Sequence, residues 1–332
     1  MSYKSGSELR LNENIKNYLL NGALDFWQRG STVSTGSNDT YLADRIVVGG
    51  AGSSSAATHS RQTDSPILEG IYSLRTARTA SGATNTVYQA QKILASTVNS
   101  LMGKYVTFSF YAKGTMTSST AIQIAYHTPL SLTTDSWSAR LNSDPLVTLK
   151  SGLTLTGSWV GHSVTFQITP AMQYGLALAV RTDIGVSVSG EYIQTTGWQL
   201  EEGLISSPFS RASNSYNEEL MNCKAYYEKS YDLFVDPATS TGSGTRLLRG
   251  HSATFFNFCD LTFMVEKIKA PDLRIYSVTG GPDAVSANSN STQVGVGVVA
   301  SAGTTGAATG SATSGLVADT FYRYHFTADA EL

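Results

Sequence analysis

Residues 105–113 read Tyr-Val-Thr-Phe-Ser-Phe-Tyr-Ala-Lys. Val106, Phe108, Phe110 and Ala112 fall on one side of a pleated chain, and Tyr105, Thr107, Ser109 and Tyr111 on the other. A period of two over nine residues is the pattern of a strand with one face in a core. The same pattern recurs on both sides. Ile122, Ile124 and Tyr126 share a face within 121–126, as do Val164, Phe166 and Ile168 within 163–168, and Leu176 and Leu178 within 174–180. Segments 45–48, 72–79 and 192–200 complete the series, with turn residues between them. Residues 87–98 fit a strand at first and a helical turn near 96–101. Short strands without long helices between them predict an all-β chain whose first part is an antiparallel jelly-roll β-sandwich.

Composition agrees. Charged residues are 14% and hydrophobic residues 41% of 332 positions, with 30 Gly and 17 Tyr. Ser and Thr fill much of the space that charge leaves. A formal net charge of -2 offers no global basic field for nucleic acid. Cys223 and Cys259 stand alone, with no zinc spacing and no disulfide framework. The first 20 residues contain no apolar run with a cleavage signature, so a soluble, intracellularly assembled protein is the expectation. Residues 284–318 carry no charge, but they are Ser, Thr, Asn, Ala and Gly with few large apolar side chains. They do not read as a membrane span. Within them, residues 295–300 imitate a dinucleotide fingerprint without a βαβ context, and read as a Gly-rich loop and strand.

One segment has helical spacing. From Asn214 to Lys229, Leu220, Cys223, Tyr226 and Tyr227 recur every three to four residues, with Glu218 and Glu219 early and Lys224 and Lys229 late. It divides the chain into an N-terminal extension (1–16), a sandwich (17–212), a linker helix (213–229) and a smaller C-terminal β domain (230–332). In the last of these, strands are expected at 231–235, 254–258, 261–265, 273–278 and 321–327.

Catalytic motifs are absent: there is no GxSxG, HExxH or Walker loop. Five histidines are scattered singly. Glu201 and Glu202 are adjacent, so on a strand they point to opposite faces and cannot flank one glycosidic bond; a solvated strand end is expected there. No enzymatic activity is expected. All four tryptophans precede residue 200. Trp27, Trp198 and Trp159 sit in apolar runs and are assigned to the core. Trp137 lies in the polar loop 133–138, where an exposed indole suits stacking on a sugar ring. Trp137, Asp135 and Tyr126 are the candidate glycan contacts.

Three segments together resemble one family. Asn17-Tyr-Leu-Leu-Asn-Gly-Ala-Leu-Asp-Phe-Trp-Gln-Arg-Gly30 with Tyr41-Leu-Ala-Asp-Arg45 resembles the opening of a domain found in bacteriophage tail fibre and related virion proteins. Gly197-Trp-Gln-Leu-Glu-Glu-Gly203 with Ser207-Pro-Phe-Ser-Arg211 resembles its closing strand. Residues 218–229 resemble the helix that follows, and Phe326-Thr-Ala-Asp-Ala-Glu-Leu332 the ending of the C-terminal domain. The first domain is also similar to jelly-roll carbohydrate-binding modules, although Ile46 stands where a Trp usually follows Asp-Arg. The resemblance implies a virion structural protein, a tail fibre or tail-tip component that adheres to host-surface glycan. It implies a homo-oligomer, a trimer by analogy with fibres, bound to other virion proteins and located on the virion. It implies no cofactor beyond a structural calcium, for which Asp25 and Asp44 are the candidate ligands. Two alternatives remain: a capsid decoration or head-fibre protein, and a polysaccharide depolymerase.

Overall fold

The computed structural model describes residues 17–34, 38–51, 57–79, 86–115, 122–182, 188–259, 261–287, 293–295, 302–312 and 315–332. The expected N-terminal extension and most of the 295–300 segment lie outside them.

Among the described residues, twelve strands build the first part: β1 (Thr32–Ser34), β2 (Thr40–Tyr41), β3 (Ile46–Ala51), β4 (Ala57–Gln62), β5 (Ser73–Arg78), β6 (Thr86–Ile93), β7 (Tyr105–Gly114), β8 (Ile122–His127), β9 (Leu146–Ser151), β10 (Val160–Gln167), β11 (Leu176–Thr182) and β12 (Tyr192–Glu202). They form two six-stranded antiparallel sheets, ordered β1-β4-β5-β12-β7-β10 and β2-β3-β6-β11-β8-β9. The period-two faces meet between them. Val106, Phe108, Phe110 and Ala112 pack with Ile122, Ile124, Leu176, Leu178, Trp27 and Trp198 in one core. Burying each large apolar side chain contributes on the order of 1.5–3 kcal/mol. The chain is all-β with an N-terminal jelly-roll sandwich, as its periodicity predicts. The ambiguous segment 87–98 is both things in turn: β6, then α1 (Ala95–Ser100).

The second part has α2 (Tyr216–Lys224) and then β13 (Tyr227–Lys229), β14 (Arg246–Ser252), β15 (Phe255–Phe258), β16 (Asp272–Tyr276), β17 (Ala284–Ala287), β18 (Gln293–Gly295), β19 (Thr309–Ser311) and β20 (Phe321–Asp329). β20 is the central strand and pairs with β13, β14, β16 and β17. A second core gathers beneath it around Leu248, Phe256, Ile275, Tyr324 and Phe326.

Two expectations change here. The helix stops at Lys224 rather than running to Lys229. Ser215 accepts a hydrogen bond from the Glu218 amide at its start, but at its end Tyr226 and Tyr227 are drawn under two arginines and the chain extends to pair with β20. Segments 231–235 and 261–265 form no strand; the Tyr231 ring instead stacks on His325 at 4.0 Å, and Thr262 makes a lone bridge to Gly306.

The residues of the recognisable motifs build the seam between the two parts. Asn21, at φ 57°, is a hub: its side chain donates to the Phe26 and Asp44 carbonyls, accepts from the Phe26 amide, and its own amide donates to Glu219 of α2. Gly22 packs so tightly that a Cβ would stand 2.1 Å from the Trp198 carbonyl oxygen. Arg45, Glu331, Lys92 and Tyr41 then hold the other end. Arg45 pairs with Glu331, while Lys92 and Tyr41 both donate to the Leu332 carbonyl at 2.9 Å.

Candidate functional site

The outer face of the first sheet is polar, and its side chains fall into rows set by the strand register. Arg75 on β5, Gln194 on β12 and Lys113 on β7 are direct neighbours, and in the next row Thr196, Tyr111 and Gly161 are. β12 carries a bulge between Thr196 and Gln199, with Gly197 at φ +67°. A Cβ on Gly197 would meet the Tyr111 ring at 3.0 Å, and one on Gly161 at 3.6 Å. Two glycines therefore leave room for the half-buried Tyr111 ring to lie against the sheet. Around it is a depression of about 180 Å³, walled by Ser109, Ser163, Ser206, Ser207 and Phe209.

Trp159 precedes β10 on this same face. It is half-buried rather than in the core, with the Lys113 ammonium 4.9 Å from its ring centroid. Lys113 also pairs with Asp64, which Gln194 contacts in turn. Arg75 donates to the Gln194 side-chain carbonyl at 3.1 and 3.0 Å and lies 4.1 Å from the Tyr192 ring centroid. Partial burial pushes the Asp64 carboxyl up, but hydrogen bonds from Lys113 and Gln194 outweigh it and hold the group below its usual value. The face thus offers two aromatic rings, fixed donors and acceptors, and a floor of serine hydroxyls. Such a set can stack on the apolar side of a pyranose and satisfy its hydroxyls.

The contacts expected from sequence do not assemble into one site. Trp137 lies on the outer face of the other sheet, half-buried beside Tyr41, with Lys92 5.5 Å from its ring and its indole Nε1 buried without a hydrogen-bond partner. Tyr126 points inward against the sandwich core and stacks on Phe166 at 6.1 Å. Strand alternation separates the two: Tyr126 registers with core-facing Leu178, whereas Trp137 packs on the cluster holding Ala177 and Ala179. Asp135, at φ 55°, accepts the Ala95 amide at the start of α1 at 2.9 Å, and burial raises its carboxyl pKa. It shares a loop with Trp137 but serves the fold. Trp159 was legible as an aromatic and misassigned to the core; nothing in its neighbours' identity told which face it takes.

Asp25 and Asp44 do not fit calcium. Asp44 is buried, accepts from the Gln28 amide at 3.2 Å and its side-chain nitrogen at 2.6 Å, and has Arg29 at 3.5 Å. Asp25 pairs with Arg211 at 2.5 Å, and Arg211 also holds Glu219 at 3.1 Å. Burial raises all three carboxyls, opposed by these cations. A calcium ion takes about six to eight oxygen ligands; here N–H donors and guanidinium groups occupy those positions. Among the described residues no group of three or more His, Cys, Asp or Glu is disposed to hold a metal. Glu201 is not solvated either: Ser207 and Gln199 donate to it inside the protein, while Glu202 faces out.

No known family model matches the chain, and no curated protein does. Among solved structures it is similar to the enzymatically active domain of tailspike protein 4 from Bacteriophage CBA120 (14% identity over 56% of this chain, TM-score 0.36). The chain spans only 21% of that tailspike. It is also similar to TmCBM61 in complex with beta-1,4-galactotriose (12% identity, 57% of this chain and 99% of that one, TM-score 0.31). The CBM22-1 xylan-binding domain from Paenibacillus barcinonensis stands at 13% identity, the same coverages and TM-score 0.31. Scores of this size assign neither relationship nor ligand.

Proposed function

We propose that the chain is a non-enzymatic structural protein of a bacteriophage virion, a tail fibre or tail-tip component, and that it adheres to host-surface glycan through the outer face of β5, β12, β7 and β10. The observation that carries the adhesive reading is the Tyr111 ring bedded between Gly161 and Gly197 with serines around it, and Trp159 against Lys113 on the same face. Glycines at both flanks serve no strand preference, since Gly weakens strand interiors; they favour a flat, approachable aromatic surface. The virion reading rests on the family resemblance of the opening, closing and terminal motifs. Trimeric assembly and attachment to other virion proteins belong to the same proposal.

Retention on immobilised host polysaccharide tests the adhesive part. Wild type binds, Trp159→Ala and Tyr111→Ala do not, and Trp137→Ala behaves as wild type. Absence of wild-type binding, or binding indifferent to Trp159, overturns it. Immunogold labelling of intact particles tests location, and label confined to the head overturns the tail assignment.

A further inference from the structure

A second cavity lies at the seam, far from the sheet face just described in its residues and its chemistry. β1 and β2 of the sandwich face β13, β16 and β20 across a cleft of about 470 Å³, within the range of about 300–1,000 Å³ typical of small-molecule sites. Its wall from the C-terminal part is one strand face. Asp272, Arg274 and Tyr276 alternate along β16, with Asp329 on β20 directly opposite Asp272. At depth, Arg29 lies 3.8 Å above the Tyr227 ring with a side chain only 10% exposed. Its Nη2 reaches Asp329 at 3.3 Å and Glu331 at 3.5 Å. Its Nε and Nη1 are buried without a hydrogen-bond partner, Nη1 standing 3.5 Å from Asp44.

We propose that this cleft is a second binding site, for a neutral saccharide. A buried guanidinium with unused N–H groups calls for an acceptor, because a donor taken out of water and left unpaired has lost its hydration with nothing in return. An anion is a poor candidate: Asp44, Asp329 and Glu331 already surround Arg29, and Asp272 stands at the rim. A cation meets Arg29 and Arg274. A hydroxyl, which accepts from Arg29 and donates to Asp329, fits both demands, and Tyr276 supplies an apolar ring face for a pyranose. The site needs residues from both parts of the chain, so its affinity reports on the seam being closed. It stands independently of the sheet-face proposal.

Saturation-transfer NMR on the full chain tests it, with lactose, maltose, cellobiose and chitobiose as probes and glucuronic acid and inorganic phosphate as charged controls. Arg274 and Tyr276 are on the cleft rim, so Arg274→Ala and Tyr276→Ala leave the fold intact, which the wild-type thermal midpoint checks. At least one neutral disaccharide is expected to bind, with affinity about tenfold or more weaker in each rim variant, through loss of a guanidinium donor at Arg274 and of ring stacking at Tyr276. Trp159→Ala leaves this signal unchanged, which separates the cleft from the sheet face. Binding of only the charged controls, no binding of any disaccharide, or equal binding by the rim variants overturns the proposal.

Discussion

Arg45 and Glu331 are 286 positions apart and form an ion pair whose side chains are each 3% exposed. Arg45 also lies 3.5 Å from the Tyr226 ring centroid and donates to the Lys92 carbonyl at 2.7 Å. A single contact thus joins the sandwich, the segment after α2 and the end of β20's neighbourhood.

Removing one partner leaves the other buried and uncompensated. Glu331→Gln is expected to lower unfolding free energy by about 3–5 kcal/mol, and the double change Arg45→Met with Glu331→Leu to recover most of it. Urea denaturation followed by tryptophan fluorescence for the sandwich and by near-UV dichroism for the tyrosine-rich C-terminal part measures both. Equal losses in single and double variants contradict this.

Asn21 is fully buried and satisfies three backbone groups of its own loop and of Asp44. Asn21→Ala orphans them and is expected to cost about 2–4 kcal/mol. Asn21→Asp, which keeps the shape and loses the donor, should cost nearly as much. Midpoints unchanged by either substitution would show that the hub carries no energy.

Stability should fall as pH drops from about 6.5 towards 4. Burial lowers the pKa of His59 and of His127 to about 4. In that window the unfolded chain binds protons that the folded chain refuses, so the contribution is whole above 6.5 and lost below 4, roughly 3 kcal/mol per histidine at most. Burial raises the carboxyls of Asp44 and Glu219 and acts in the opposite sense. The informative comparison is therefore wild type against His59→Gln, whose stability profile between pH 6.5 and 4 should be shallower. Parallel profiles would refute the assignment to His59.

Gly197→Ala is expected to cost about 1–2 kcal/mol from its left-handed backbone, and to displace the Tyr111 ring that its new methyl would meet. Glycan retention should drop with it, while Gly190→Ala, also at positive φ but with open space around it, should leave retention intact. Loss of retention in both variants would mean that backbone strain, not the ring, is responsible.

The sandwich was legible because its strands alternate: the side-chain period is a local property, and residues 105–113 state it without tertiary help. The C-terminal part was less so. Tyr226 and Tyr227 keep helical spacing with Cys223, yet two arginines from the other end of the chain pull them into a different conformation. The resemblance made Asp25 and Asp44 calcium candidates; in the fold they neutralise Arg211 and Arg29 within the sandwich, while Glu219 and Glu331 pair with Arg211 and Arg45 across the seam. Trp159 was assigned to the core and Trp137 to an exposed loop, yet both are half-buried on the outer faces of the two sheets. Both flank polar residues, and only the register of β10 and the packing of the 133–138 loop decide which ring faces a usable surface.

The centrality of β20 bears on synthesis. The sandwich has all its strands once Glu202 has emerged, and its hydrophobic core can close while translation continues. The third sheet cannot, because β13, β14, β16 and β17 all await the same strand, the latest of them to leave the ribosome. Until then their edges stand open, a state prone to pairing with neighbouring nascent chains. Docking of Glu331 on Arg45 then closes the seam, so a product truncated before β20 would carry a folded sandwich and an unsealed seam.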